Sequence, residues 1–206
     1  MTEIHEDQGN RQRILDVAVD LFANKGYDAV SVREIAEAAK VTKPVIYYYF
    51  ENKRDLYMNL IREAFQESNR MYKSIYEDDS PSDEKLRQLM RAHFRYCLDY
   101  PNRIKVLFDT MEGHSNVTDI NLLREDARVN FNILADIIRL GQSNGIFSKD
   151  VDPDKITLMF FGTMNTFIMH HFIEKQSYLS DTVADEIIDM LINGISLKNH
   201  SKPAKE

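Results

Sequence analysis

SVREIAEAAKVTKPVIYYYFENKRDL, residues 31–56, reads as two short helices joined by a tight turn, the second carrying three consecutive tyrosines. Ser31 suits the N-cap of the first helix, because its hydroxyl accepts from an otherwise unpaired backbone N–H. Glu34, three residues on, completes a capping box. Val32, Ile35, Ala36 and Ala39 follow the i, i+3, i+4, i+7 rule for one buried stripe, and the alanines admit a close neighbour. Arg33 and Glu37 face outward. After the turn, Thr42 stands where a second helix needs a cap, and Pro44 falls in the first turn, where a missing N–H costs nothing. Val41, Ile46 and Phe50 anchor this second helix. Lys43, Val45, Tyr47, Tyr48 and Tyr49 cannot all turn inward, since adjacent helical residues point about 100° apart. Exposed aromatic and basic groups together ask for a partner.

Double-stranded DNA meets that demand. A lone helix fits the major groove, tyrosine hydroxyls and lysines reach phosphates, and valine or an aromatic ring touches thymine methyls. Arg33, at the start of the preceding helix, is long enough to read a guanine edge bidentately.

Residues 11–60 resemble the DNA-binding domain of the Tet-repressor (TetR) family of transcriptional regulators. The motifs that carry the resemblance are LFANKGYDAV (21–30), matching F-x-x-x-G-[YF]; SVREIA (31–36); and a closing block of Val41, Thr42, Ile46, Tyr47, Tyr49, Phe50 and Lys53. The resemblance implies that Ser31, Tyr47, Tyr49 and Lys53 hold phosphates, while Arg33, Lys43, Pro44, Val45 and Tyr48 face base edges. Lys40 departs from the pattern, because the family usually has glycine in that turn, where a left-handed backbone is convenient. A lysine there costs ~1 kcal/mol of strain.

The net charge of −7 over 206 residues looks wrong for a nucleic-acid binder until it is divided along the chain. Residues 11–55 carry one net positive charge and the remainder eight negative ones. A near-neutral reader joined to an acidic body argues against a protein that coats DNA without preference, and for a dimer that reads a defined site. One cysteine excludes a disulfide framework within the chain. No basic flank with an apolar stretch opens the N-terminus, so a cytoplasmic location is expected.

The body reads as all helix, giving an all-α fold of about nine helices. A three-helix, helix-turn-helix DNA-binding domain is expected over 1–53, a larger helical domain for effector binding and dimerisation over 54–200, and a disordered tail over 201–206. A long helix from Asn52 toward Tyr76 joins the two and is broken by EDDSPSD (77–83). Leu86, Leu89, Met90, His93, Phe94, Cys97 and Leu98 form one stripe, and Pro101 opens a short helix through Met111. GHSNVT (113–118) is a loop. Ile120, Leu123, Ala127, Phe131, Leu134 and Ile138 mark a helix that stops at GQSNG (141–145). Residues 156–173 contain no Asp, Glu, Lys or Arg, which invites a membrane reading. Thr157, Thr163, Asn165, Thr166, His170 and His171 oppose it, so a helix buried on two sides is expected instead. Ser180 or Asp181 caps a last helix with Val183, Ile187, Met190, Leu191 and Ile195 along one face.

Two apolar C-terminal helices suggest a homodimer through a four-helix bundle. The resemblance implies the same, together with a palindromic operator and release by a small molecule. Phe65, Met90, Phe94, Cys97, Phe108, Met111, Phe131, Met164, Phe167 and His171 are the candidate lining of an effector pocket, being large and on core faces; they favour an apolar or aromatic effector. His93 and Cys97 at i, i+4 are half a metal site, which His114, His170 and His171 complete only by folding nearby. No metal or cofactor is expected. No glycine-rich phosphate loop, nucleophile elbow or H-E-x-x-H pair points to an enzyme. The alternatives are an architectural or adaptor DNA-binding protein without an effector and, further off, an enzyme.

Overall fold

In a computed structural model the backbone is described over residues 2–111, 120–174 and 177–195, and side chains over 9–111, 125, 127–174 and 177–194. The described residues form helices only: α1 (Thr2–Lys25), α2 (Val32–Ala38), α3 (Lys43–Tyr49), α4 (Lys53–Glu77), α5 (Ser82–Asp99), α6 (Pro101–Met111), α7 (Ile120–Ser143), α8 (Pro153–Ile173) and α9 (Asp181–Ile195). The loop expected at 113–118 and the tail at 201–206 lie outside the described residues.

Helix ends follow the local chemistry. Ser31 Oγ accepts from Glu34 N at 3.2 Å and the Glu34 carboxylate accepts from Ser31 N at 3.5 Å, so the capping box forms. At the other end of α2, Val41 N donates to Ala36 O (3.0 Å) and Lys40 N to Glu37 O (3.2 Å), a Schellman closure. It places Lys40 at φ 54°, in the left-handed region expected of the family's glycine. The same closure ends α7, where Gly145 (φ 74°) supplies the left-handed residue and Ile146 N reaches Gly141 O at 2.8 Å. Asp152 caps α8 through Asp154 N (3.0 Å), with Pro153 in the first turn. Of the two candidates at α9, Ser180 is the cap, its Oγ accepting from Val183 N at 3.2 Å.

Packing divides the chain into two units, one of residues 1–67 and 100–124, the other of 68–99 and 125–206. The packing unit that holds α2 and α3 thus also takes in the first half of α4 and α6, which packs on α1. The core of this unit gathers Ile14, Leu15, Phe22, Ile35, Ile46, Phe50, Leu56, Tyr57 and Ile61, with Val106 from α6. Tyr57 Oη and Thr110 Oγ1 share a buried hydrogen bond of 2.7 Å that fastens α6 to α4.

The second unit is built on α5. Its apolar stripe is buried at Leu86, Leu89, Met90, Phe94 and Cys97, whereas Leu98 is exposed. Lys85 is buried, and its ammonium donates to Ile75 O (3.0 Å), Tyr76 O (2.8 Å) and Asp78 O at the C-terminal end of α4. Those are the carbonyls a helix end leaves unpaired, at the negative end of its dipole. Along α7 the expected stripe shifts: Ala127 is exposed, and among the described residues the buried positions are Asn130, Leu134, Ala135, Ile137, Ile138 and Gly141, while Ile120 and Leu123 lie outside the described side chains. Between α5 and α9 runs a ladder of ion pairs: Arg87 with Asp189 (2.5 Å), Arg91 with Asp185 (2.6 Å) and Arg95 with Asp181. Both helices repeat the charge every four residues, so the ladder fixes their antiparallel register.

Helix α8 is long and apolar enough, by length and composition, to cross a membrane, but only 28% of its apolar window is buried. The expectation of burial on two sides is not met among the described residues.

Candidate nucleic-acid interface and apolar groove

On α3 the sequence splits as its periodicity requires. Ile46 and Phe50 are buried, and Val45 and Tyr49 lean on the core from its edge. Tyr47 and Tyr48 are 52% and 75% exposed, and Lys43 and Pro44 are exposed with them. The Tyr48 ring packs edge-on against Tyr49, 4.9 Å between centroids, which holds the outer ring in place. Thr42 starts the helix without a side-chain cap bond, so its exposed hydroxyl keeps its bonding capacity. It joins the candidate interface as a residue that its reading as a helix cap concealed.

Arg33 stands exposed on α2 and pairs with Glu37 one turn on (2.7 Å). The carboxylate holds the guanidinium pKa above its ordinary value. A base edge would have to replace that carboxylate. Ser31 is exposed at the same end of α2, its oxygen engaged in the cap. Lys25 pairs with Glu34, and this pair and the Ser31 N–H lower the Glu34 pKa. The start of α2 is therefore tied to the end of α1.

Lys53, expected at a phosphate, has carbonyl partners within the chain. Its ammonium turns inward and donates to Val30 O (2.8 Å), Tyr27 O (2.9 Å) and Asp28 O (3.5 Å), while lying 4.2 Å from the centroid of the Tyr27 ring. These carbonyls of the α1–α2 turn match in number the three protons an ammonium can donate.

In the second unit a groove of about 650 Å³ opens among α5, α8, the segment before α9 and α9 itself. Of the expected pocket residues, Met90 and Phe167 line it. The other walls are Met159, Phe160, Thr163, Thr166, His170, Tyr178, Val183, Glu186, Ile187, Met190 and Leu191. Phe94, Cys97 and Met164 are buried core residues outside it, and Phe131 stacks on Phe161 (6.4 Å), which stacks on Tyr72 (6.2 Å). Phe65, Phe108 and Met111 belong to the first packing unit; Phe65 backs the reader's core and Met111 is 61% exposed. His171 bonds Ser177 Oγ (2.7 Å), and its neighbour His170 is the histidine in the groove.

His93 shares a 2.9 Å hydrogen bond with Tyr72 Oη, and burial pushes its pKa down to about 4. Burial likewise pushes the Cys97 thiol up to about 11, so the sulfur stays protonated and unreactive. Among the described residues no group of three His, Cys, Asp or Glu comes together to hold a metal ion.

Two family models match the chain: bacterial regulatory proteins of the tetR family over residues 14–60, and the tetracyclin repressor-like C-terminal domain over 79–195. The fatty acid metabolism regulator protein of Bacillus subtilis is 25% identical over 186 residues, 90% of this chain and 95% of that one. The transcriptional repressor KstR2 of Mycolicibacterium smegmatis is 22% identical, with 94% of each chain covered. The solved structure of the transcriptional regulator FadR from Bacillus subtilis in complex with stearoyl-CoA superposes at a TM-score of 0.75 with 26% identity, covering 89% of this chain and 98% of that one. The C-terminal match alone spans more than half of the sequence, and the N-terminal match contains every residue of the α2–α3 face. The chain belongs to the TetR family and is a DNA-binding transcriptional regulator.

Proposed function

We propose that the protein is a repressor that works as a homodimer, each copy offering α2 and α3 to one half of a palindromic operator. Ser31, Tyr47 and Tyr49 take phosphates in this reading, and Arg33, Lys43, Pro44, Val45 and Tyr48 face base edges, with Thr42 beside them. DNA reading falls to residues 1–53 and effector binding and dimerisation to 54–200. The protein acts by binding rather than by catalysis, in the cytoplasm where its operator lies.

One observation carries the dimer: the apolar face of α8 and α9 has no partner among the described residues. Leu158, Ile173 and Met190 are 62%, 71% and 72% exposed. Gly162 lies on the same exposed stripe, and a Cβ there would meet nothing within 4 Å. Glycine inside a helix costs about 1 kcal/mol against alanine. Open space gives no reason for it, whereas a second helix crossing closely does. The groove between α8 and α9 is then the seat of the partner's helices, and exposure of this size is what a two-fold interface covers. Equilibrium sedimentation of the wild type and of Leu158→Arg tests this. A dimer that becomes a monomer in the variant, with loss of operator binding, is expected; a wild-type monomer that still binds DNA tightly contradicts it.

For the effector, we infer a molecule with a long apolar chain, and within that class an acyl thioester of coenzyme A. Similarity to a fatty acid metabolism regulator and to a FadR solved with stearoyl-CoA supports this. Stearoyl-CoA should release the bound operator in an anisotropy titration while free coenzyme A does not. Release by neither would remove the acyl class.

A further inference from the structure

We infer that Lys53 is a positioning residue for DNA reading, holding the start of α2 in place from the first residue of α4, and that it makes no phosphate contact. The inference rests on the reading of α2 and α3 as the DNA face.

Lys53 opens α4, the wrong end of a helix for a cation, because the N-terminal turn carries the positive end of the dipole. The cap of that turn suits the opposite charge: Asn52 Oδ1 accepts from Asp55 N (2.9 Å) and the Asp55 carboxylate accepts from Glu51 N (3.0 Å), while Arg54 beside Lys53 is a second cation. A lysine at this position therefore needs compensation, and it finds it in the carbonyls of Tyr27, Asp28 and Val30 and in the face of the Tyr27 ring. Tyr27 is fixed in turn, stacked on Phe22 (5.7 Å) and edge-on to Tyr57 of α4 (5.0 Å). In this arrangement the ammonium has three carbonyl acceptors, at Val30, Tyr27 and Asp28.

Val30, the best-bonded acceptor, immediately precedes Ser31, the cap of α2, and Arg33 follows two residues later. A shift of the first turn of α4 therefore reaches Arg33 through one ammonium group and three residues of backbone. Lys25 and Glu34 bind the same end of α2 to α1, so α2 is set by two neighbours at once. The side chain that the family pattern offers as an electrostatic anchor thus acts here on geometry.

The two roles separate in salt dependence. A lost phosphate contact lowers the slope of log K against log salt by about 0.9 in magnitude and weakens all sequences alike. Anisotropy titrations of wild type, Lys53→Met and Lys53→Arg against a selected operator and a scrambled duplex, across a salt series, provide the comparison. The expected result for Lys53→Met is an unchanged slope with a smaller ratio of operator to scrambled affinity, by about tenfold, as loss of one base contact would give. Lys53→Arg, which can still donate to the carbonyls, should restore the ratio. A slope lower by about 0.9 with an unchanged ratio would overturn the inference.

Amine modification of the wild type covers the case in which Lys53→Met does not fold. Lys53 should resist reductive methylation equally with and without operator, while reactivity in the free protein that vanishes on DNA would mark a phosphate contact. Tyr48→Ala serves as the separate control on the reader itself: if it binds operator as the wild type does, the α3 face has been misassigned whatever Lys53 shows.

Discussion

Gly141→Ala should destabilise the protein by about 2 kcal/mol, although alanine is the better helix former. Gly141 lies in the last turns of α7, where the chain folds back and the Gly141 carbonyl accepts from Ile146 N (2.8 Å) and Phe147 N (3.2 Å). That reversal lays the Phe147 ring against the glycine. A Cβ on Gly141 would sit 2.3 Å from Phe147 Cδ2 and 2.4 Å from Cε2, with Ser82 Cβ at 3.0 Å. Carbon atoms pack best at about 3.5–4.0 Å, so the ring would have to retreat by roughly 1 Å. Phe147 is 1% exposed and Ser82 is also 1% exposed, which leaves it nowhere to go. Overpacking of this kind costs up to about 3 kcal/mol, and the helix gain from glycine to alanine offsets about 1 kcal/mol. Urea denaturation followed by circular dichroism reads the difference as a lower midpoint at constant slope. In a Phe147→Ala background the ring clash is gone and only the tight Ser82 contact remains, so the loss should shrink by at least about 1 kcal/mol. An equal loss in both backgrounds, or no loss in the first, would refute the contact as the cause.

Lys40→Gly should stabilise the protein by about 0.5–1 kcal/mol. It removes the left-handed penalty of a side chain at φ 54°, less glycine's extra backbone entropy, and thermal melting should show the gain. His93 makes stability depend on pH. Burial lowers its folded pKa from 6.5 to about 4, so on acidification the unfolded chain takes up a proton first, and stability falls from about pH 6.5 downward until it levels near 4. The whole shift corresponds to roughly 3 kcal/mol at 1.36 kcal/mol per unit. His93→Gln should flatten that limb in denaturation profiles taken between neutral pH and pH 4; an unchanged limb would place the titration elsewhere.

What could be read in advance depended on the range of the forces involved. The capping box at Ser31, the left-handed residue at Lys40 and the split between buried Phe50 and exposed Tyr48 are settled within a turn or two of chain, and the local pattern shows all three. Lys53 escaped because its partners lie 23 to 26 residues upstream; only the packing of α4 against the α1–α2 turn brings them under its ammonium. The groove escaped for a different reason. Selecting large apolar side chains on core faces picks residues such as Phe94, Cys97 and Met164 that bury one another. A groove is lined by residues whose burial is incomplete, among them Met159, Thr166, His170 and Met190. On α9 the stripe at Val183, Ile187, Met190 and Leu191 is real but faces this groove, while Ala184 and Ile188 are buried. The matching repeats Arg87, Arg91, Arg95 and Asp181, Asp185, Asp189 could have announced the α5–α9 pairing, since both keep a period of four.

The most direct test of the account is selection of bound duplexes from a random DNA pool by the wild-type protein at near-physiological salt. Two copies reading through α3 should enrich a palindrome whose half-site centres lie about one helical turn, roughly 34 Å, or a multiple of it apart. Enrichment of a single undivided site, or of no sequence at all, would contradict a paired reader.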